Sequence, residues 1–286
     1  MTKARNPFVR PYLKWAGGKR QLEGEILPVC PRKFNTYYEP FVGAGAIFFA
    51  LQHEKAVIND LNDQLCLTYT VIKDNVTELI EMLKEHKSNN SKEYYYELRE
   101  KDRLPEFESY SVVEKAARLI YLNKTCYNGL YRVNSMGHFN TPYGKYQNPA
   151  IFDEEVLLAI SKYLNSSNIT IRNMSFEQSV NDAEKGDFVY FDPPYDSPNC
   201  TNFTGYQAGG FDHDKQTLLK DVMDDLTDRG VKCLMSNAAT DFIIDAFKNK
   251  TRNKFEIEIV RANRMIGSHL DSRGKVDEVL IRNYRL

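Results

Sequence analysis

The five cysteines, Cys30, Cys66, Cys126, Cys200 and Cys233, include no C-x-x-C pair, which argues against a zinc ribbon or a dithiol redox site. Odd in number and scattered, they read as reduced thiols in a cytoplasm. No segment approaches the ~20 consecutive apolar residues of a membrane span, and the opening MTKARNPFVRPYLKW has no apolar stretch of signal-peptide length. A soluble cytoplasmic protein is expected. Internal repeats and low-complexity tracts are missing as well, so neither a solenoid nor a disordered tail accounts for the length. At 286 residues and 42% hydrophobic, the chain can bury a large core, and one domain with an insertion is expected. An overall basic excess is also lacking: the formal net charge is −1, whereas nucleic-acid binders commonly carry a basic footprint.

That balance is uneven along the chain. Acids dominate from Asp74 to Glu108, but Ser111 to Ala150 holds five cations (Lys115, Arg118, Lys124, Arg132, Lys145) against the single acid Glu114. The same window carries Tyr121, Tyr127, Tyr131, Phe139, Tyr143 and Tyr146. Cations interleaved with flat rings suit phosphates and exposed bases; an ordinary solvated face with core tyrosines gives the same composition.

The stretch VYFDPPYD, Val189 to Asp196, is the most informative. Phe188 to Phe191 is short, apolar and aromatic, the pattern of a strand covered on both faces of a parallel sheet. Pro193 and Pro194 offer no N–H to a ladder, so the chain must leave the sheet at Asp192, with its carboxylate at the strand's carboxyl end. In open α/β sheets ligands bind at that edge.

The rest of the chain supplies such a sheet. NTYYEPFVGAG reads as a strand entering a glycine turn, AIFFALQ as the following helix, and KAVINDLN as a second strand ending at Asn59 and Asp60. This is the opening of a doubly wound α/β fold. From about Leu67 to Leu164 the periodicity is mainly helical, with a hairpin in which LYRV and HFN flank the turn NSMG. The α/β alternation resumes with NITIRN, DFVYFDPPY, a long helix from Asp214, VKCLMSN and the helix TDFIIDAFKNK. FEIEIVRA and VDEVLIRNY have no helix between them and predict a closing antiparallel hairpin.

Three places offer candidate ligand contacts. Gly43 and Gly45 at the first strand–helix turn allow close backbone approach of a ligand, although two glycines also suit a plain turn. Asp60, at the end of the next strand, can accept both hydroxyls of a ribose or cap the following helix. In LKWAGGKRQL, Gly17-Gly18-Lys19 lacks the spacing of a phosphate loop, but a Gly-Gly turn with a lysine can hold a ligand carboxylate. Trp15, the only tryptophan, either joins that site or packs in the core.

KWAGGK, EPFVGAG, IND, YNGLYR, FNTPYGKY, FDPPY and NFTGY, in that order from Leu13 to about Tyr284, resemble the Dam and DpnM-type DNA adenine-N6 methyltransferases, the alpha group of the D12 class. The resemblance implies a Rossmann-like fold dependent on S-adenosylmethionine, catalytic over 1–66 and 165–286, with a mostly helical target-recognition insertion over 67–164 that contains the hairpin. It implies transfer of a methyl group to N6 of an adenine flipped out of duplex DNA, within GATC. Asp60 would take the ribose hydroxyls, Gly43, Gly45 and Phe41 would pass beneath the adenosine, and Lys19 with Trp15 would hold the methionine end. No metal is needed.

Adenine's amino nitrogen is a poor nucleophile, because its lone pair is delocalised into the ring. Asp192 and a main-chain carbonyl of the Pro193-Pro194 unit can each accept one of its N–H groups and turn the lone pair toward the methyl. Tyr195 offers a stacking surface. By resemblance Arg132 reads a guanine through O6 and N7, Tyr127 and Asn128 lie beside the flipped base, and Lys14 and Tyr146 read neighbouring positions. Core packing for Tyr127 and Tyr146, and a solvated side chain for Lys14, are the alternatives. NCTNFTGYQAGGF is expected to be mobile and to order over the target base, and Arg261, Arg264, Arg273 and Lys275 to touch phosphates. A cognate restriction endonuclease is a conceivable associate, without direct contact. Rival readings are a cytosine-N4 methyltransferase, which faces the same electronic problem, and a catalytically silent DNA-binding regulator.

Overall fold

The computed structural model describes residues 5–196, 211–248, 254–263 and 275–286, with the side chains of 261–263, 275 and 276 left aside. The stretch expected to order over the base therefore lies, except for Phe211, outside the described residues, as do Arg264 and Arg273; Arg261 and Lys275 are placed only as backbone.

Seven strands form one sheet in the order β3-β2-β1-β4-β5-β7-β6. They are β1 (Tyr37–Glu39), β2 (Lys55–Asn59), β3 (Asn168–Arg172), β4 (Phe188–Phe191), β5 (Lys232–Ala238), β6 (Glu256–Asn263) and β7 (Lys275–Arg282). The first five run parallel, and β7 enters antiparallel between β5 and β6. The predicted α/β architecture with its closing antiparallel hairpin is thus what the chain adopts.

Both faces of the sheet are covered, and the period of two along each strand divides the residues between two cores. Tyr37, Ile58, Phe188 and Tyr190 face one cluster, while Tyr38, Val57, Val189 and Phe191 face the other. The ten helices assigned among the described residues are α1 (Glu23–Val29), α2 (Ala46–Leu51), α3 (Asp63–Asp74), α4 (Val76–Ser88), α5 (Lys92–Glu100), α6 (Val112–Thr125), α7 (Glu154–Ser166), α8 (Phe176–Ser179), α9 (His213–Asp228) and α10 (Asp241–Phe247).

Helices α3 to α7 all lie between β2 and β3, and residues 67 and 164 fall inside α3 and α7. Helix α6 begins with a reciprocal cap: the Ser111 hydroxyl accepts the Glu114 N–H, and the Glu114 carboxylate accepts the Ser111 N–H. It ends at Thr125, where the chain turns into the hairpin. There the turn forms as expected, with Asn134 N–H donating to His138 O and Asn140 N–H to Arg132 O. Its arms are held by the single bridge Val133–Phe139 rather than by a ladder of strands.

The basic window divides in two. Arg118 is 2% exposed, donates to the Leu98 and Arg99 carbonyls, and pairs with Asp102 at 2.9 Å. It is therefore not a phosphate contact, because an acid from the preceding acidic stretch neutralises it inside the core. Asp102 also accepts the Phe139 N–H, and so ties the hairpin to α6. Tyr121, Tyr131 and Phe139 are buried too. No helix among the described residues is long and apolar enough to cross a membrane.

Candidate active site and nucleic-acid interface

The sheet order reverses between β1 and β4: from β1 the chain proceeds outward to β2 and β3, and from β4 in the other direction. A crevice opens at the carboxyl ends of strands on either side of such a switch point. The glycine turn follows β1 and Asp192 follows β4, so topology alone brings them to one edge.

Gly43 and Gly45 have φ of 50° and 76°, a region side chains rarely adopt. A Cβ on Gly43 would lie 3.1 Å from Trp15 Cδ1, and one on Gly45 would lie 2.7 Å from the Tyr69 hydroxyl. Asp60 accepts the Gly43 N–H at 3.1 Å and the Asn62 N–H at 2.9 Å. Burial pushes its carboxyl above the usual range, against the pull of those N–H donors. The helix-capping alternative for Asp60 does not hold, since Asn62 caps α3 by accepting the Leu65 N–H.

Lys19 is buried beside Asp192, with Nζ 2.7 Å from Oδ1 and 2.7 Å from the Gly17 carbonyl oxygen to which it donates. The same ammonium lies 4.3 Å from the centre of the Tyr195 ring. Ser236 on β5 donates to Asp192 Oδ1 at 3.0 Å, and Tyr195 donates to Glu278 on β7 at 2.7 Å. Burial raises the Asp192 carboxyl above the ordinary carboxylate range, while Lys19 and Ser236 pull it down. The two proline carbonyls differ. Gln216 Nε2 donates to Pro194 O at 3.1 Å, whereas no group among the described residues donates to Pro193 O.

The remaining predicted residues fall into separate places. Trp15 stacks on Tyr131, ring centres 5.0 Å apart, and so links the glycine turn to the hairpin base. Phe41 stacks on Phe176 at 5.3 Å, on the opposite core. Lys14 Nζ sits 5.1 Å from the Tyr146 ring centre, and the Tyr146 hydroxyl accepts the Asn128 N–H. Asn123 fixes the Lys14 backbone from both sides, accepting its N–H and donating to its carbonyl. Core packing does not describe Tyr127, which is 56% exposed. Arg132 is exposed and oriented by Asn140, with Nε 2.7 Å from Oδ1.

Four residues with evident parts here were not singled out from the sequence: Ser236, Glu278, Asn140 and Glu39. Glu39 ends β1, is buried, and accepts the Tyr37 hydroxyl at 2.6 Å; burial raises its carboxyl well above the usual range. Among the described residues no group of three or more His, Cys, Asp or Glu is arranged to hold a metal ion.

This sheet, with a glycine turn after β1 and an acid after β4 at the switch point, is the framework of a Rossmann-like methyltransferase. The chain belongs to the D12 class N6 adenine-specific DNA methyltransferase family, whose sequence model matches residues 15–266. It is 45% identical over 277 residues to the Type II methyltransferase M1.LlaDCHI of Lactococcus lactis subsp. cremoris, covering 96% of each chain. It is 40% identical to the Type II methyltransferase M.MjaIII of Methanocaldococcus jannaschii, covering 96% of this chain and 99% of that one. With the DNA adenine methylase of Escherichia coli K12 it shares 32% identity over 275 residues, 95% and 94% of the two chains. The protein is thus an adenine-specific methyltransferase of DNA by family.

Proposed function

We propose that the protein transfers a methyl group from S-adenosylmethionine to N6 of an adenine flipped from duplex DNA, within the site GATC. One observation carries the chemistry: a half-buried carboxylate, Asp192, is followed by a Pro193 carbonyl to which no described group donates. Two acceptors at adjacent positions suit an exocyclic amino group with its two N–H bonds.

The donor would lie against the glycine turn at the switch point. The positive φ of Gly43 and Gly45 gives a turn whose backbone carries no side chain of its own toward a ligand, Asp60 offers a half-buried acceptor to ribose hydroxyls, and Lys19 with Trp15 would hold the amino-acid end. The bound sulfonium supplies a methyl already activated for transfer. Asp192 and Pro193 O orient the amino group and offset its developing positive charge. Tyr195 supplies a ring for the base. We assign in-line displacement without a covalent enzyme intermediate, and no metal: a C–N bond would form as the donor's C–S bond breaks to leave a neutral thioether, and the amino group would release one proton to solvent.

The helices and hairpin between β2 and β3 form the target-recognition part. Arg132, Tyr127, Asn128 and Tyr146 are exposed or half-buried there, as is Lys14 from the N-terminal segment, and all five would reach base edges. Flipping costs a few kcal/mol, which phosphate and base contacts must offset. GATC rests on the resemblance of these residues to the Dam enzymes. Expression in cells lacking adenine methylation, followed by digestion with nucleases that differ in tolerance for methylated GATC, tests base, site and activity together. Protection is expected from the parent and not from Asp192→Ala; N4-methylcytosine in the hydrolysed DNA, or no modified base at all, would overturn the reading.

A further inference from the structure

Asp192, Pro193 and Tyr195 come from one turn, but the residue that holds the Tyr195 hydroxyl comes from the far end of the chain. Because β7 runs antiparallel to β5, its first residues lie at the edge where the parallel strands end. Glu278 pairs with Ala238 of β5 and Val260 of β6, next to the turn after β4. It is 5% exposed, and its Oε2 accepts the Tyr195 hydroxyl at 2.7 Å. Lys19 sits over the ring of the same tyrosine at 4.3 Å and reaches Asp192 with the same ammonium.

We propose that Glu278 is a positioning residue for methyl transfer: it holds the Tyr195 ring by its hydroxyl, so that the ring, Lys19 and Asp192 present one fixed surface to the target base. The inference rests on the function proposed above. Phenylalanine would stack on a base as well as tyrosine does, so the hydroxyl has its use in this anchorage. Without it the hydroxyl loses its carboxylate anchor, and the tilt of the ring sets where a stacked base lies relative to Asp192. A misplacement of about 1 Å can cost on the order of 100-fold in rate.

The test is a cycle of Glu278→Ala, Glu278→Gln, Tyr195→Phe and Tyr195→Phe/Glu278→Ala, each measured in single turnover with donor saturating and active sites titrated. Glu278→Ala should lower the rate constant about ten- to hundredfold while changing donor affinity less than about threefold. Glu278→Gln should stay within about threefold of the parent, because the amide oxygen accepts the same hydroxyl. In the Tyr195→Phe background the alanine change should cost nothing further. A 2-aminopurine at the target position should report altered stacking in Glu278→Ala alone of the two Glu278 variants. A purely structural role would lower melting temperature and the titratable fraction but leave the rate constant of the remaining enzyme intact, and that result overturns the inference. So does an equal loss in Glu278→Gln, or an undiminished loss in the Tyr195→Phe background. If the parent itself transfers no methyl to adenine, the functional reading fails and takes this inference with it; if the parent is active and the variants match it, only the role of Glu278 fails.

Discussion

Lys19, buried, and Asp192, half-buried, form an ion pair, 2.7 Å apart, across the crevice at the switch point of the sheet. The two residues lie far apart in sequence and on different elements, one at the start of the short helical turn Lys19–Gln21 and the other just past β4. Burial favours the neutral acid and Lys19 the carboxylate, so the charge on Asp192 depends on its partner. A single buried carboxylate without such a partner would be costly to ionise.

From that pair follows a pH dependence. Asp192 must be ionised to accept an N–H with both oxygens available, so activity falls as pH drops through its raised pKa. Removing Lys19 takes away the largest influence holding that pKa down. In Lys19→Met the acid limb of the single-turnover rate, measured at saturating donor, should therefore move to higher pH. An acid limb unmoved or shifted downward would show that Lys19 does not govern the charge on Asp192.

The glycine turn yields a prediction on stability. Gly45 has φ of 76°, and its Cβ would meet the Tyr69 hydroxyl at 2.7 Å and two ring atoms of Phe49 at 3.0 and 3.1 Å. Both the backbone conformation and the space oppose a side chain. Gly45→Ala should lose about 1–3 kcal/mol, read from urea unfolding, and weaken donor binding in calorimetry, since the same turn carries Gly43 and its N–H to Asp60.

Specificity should depend on a residue the sequence did not bring forward. Asn140 orients Arg132 through its side-chain oxygen and, at 3.3 Å, its carbonyl. A bidentate arginine–guanine contact needs a fixed guanidinium plane. Asn140→Ala should relax discrimination at one base pair by about 1–3 kcal/mol, with little change at the others, when kcat/KM is compared across duplexes with single substitutions. Arg132→Ala should relax the same position; relaxation at a different one would separate the two residues.

How much could be read beforehand differs from element to element. The strand Phe188–Phe191 and its exit at Asp192 were legible because two prolines leave the chain no ladder to join. The turn at Gly43 and Gly45 was legible for a similar reason. The capping role was not: Asn59, Asp60, Asn62 and Asp63 crowd one loop, all of suitable type, and only the geometry selects Asn62. Ser236 and Glu278 lie beyond sequence reasoning of this kind, since their meeting with Asp192 and Tyr195 depends on the registers of β5 against β4 and of β7 against β5. Composition misled at Arg118, where the charge that seemed available to phosphate is matched by Asp102 inside the fold.

Lys124 retains the electrostatic signature that Arg118 lacks. Burial, reinforced by Lys14 and Arg10 and only partly countered by Asp153, brings its pKa down to about 8. Half of this charge is therefore lost at about pH 8, within a basic cluster beside the Lys14 and Tyr146 contacts. A phosphate placed near it favours the protonated form, so DNA binding draws a proton from solution wherever free Lys124 is neutral. Affinity for a duplex should then be constant well below pH 8 and decline as pH rises through about 8. Lys124→Met should remove that pH dependence and lessen the salt dependence of binding by about one phosphate contact. Fluorescence anisotropy at several salt concentrations, from pH 6.5 to about pH 9.5 to bracket that pKa, checks both. An identical pH profile in the variant would assign the effect to another group.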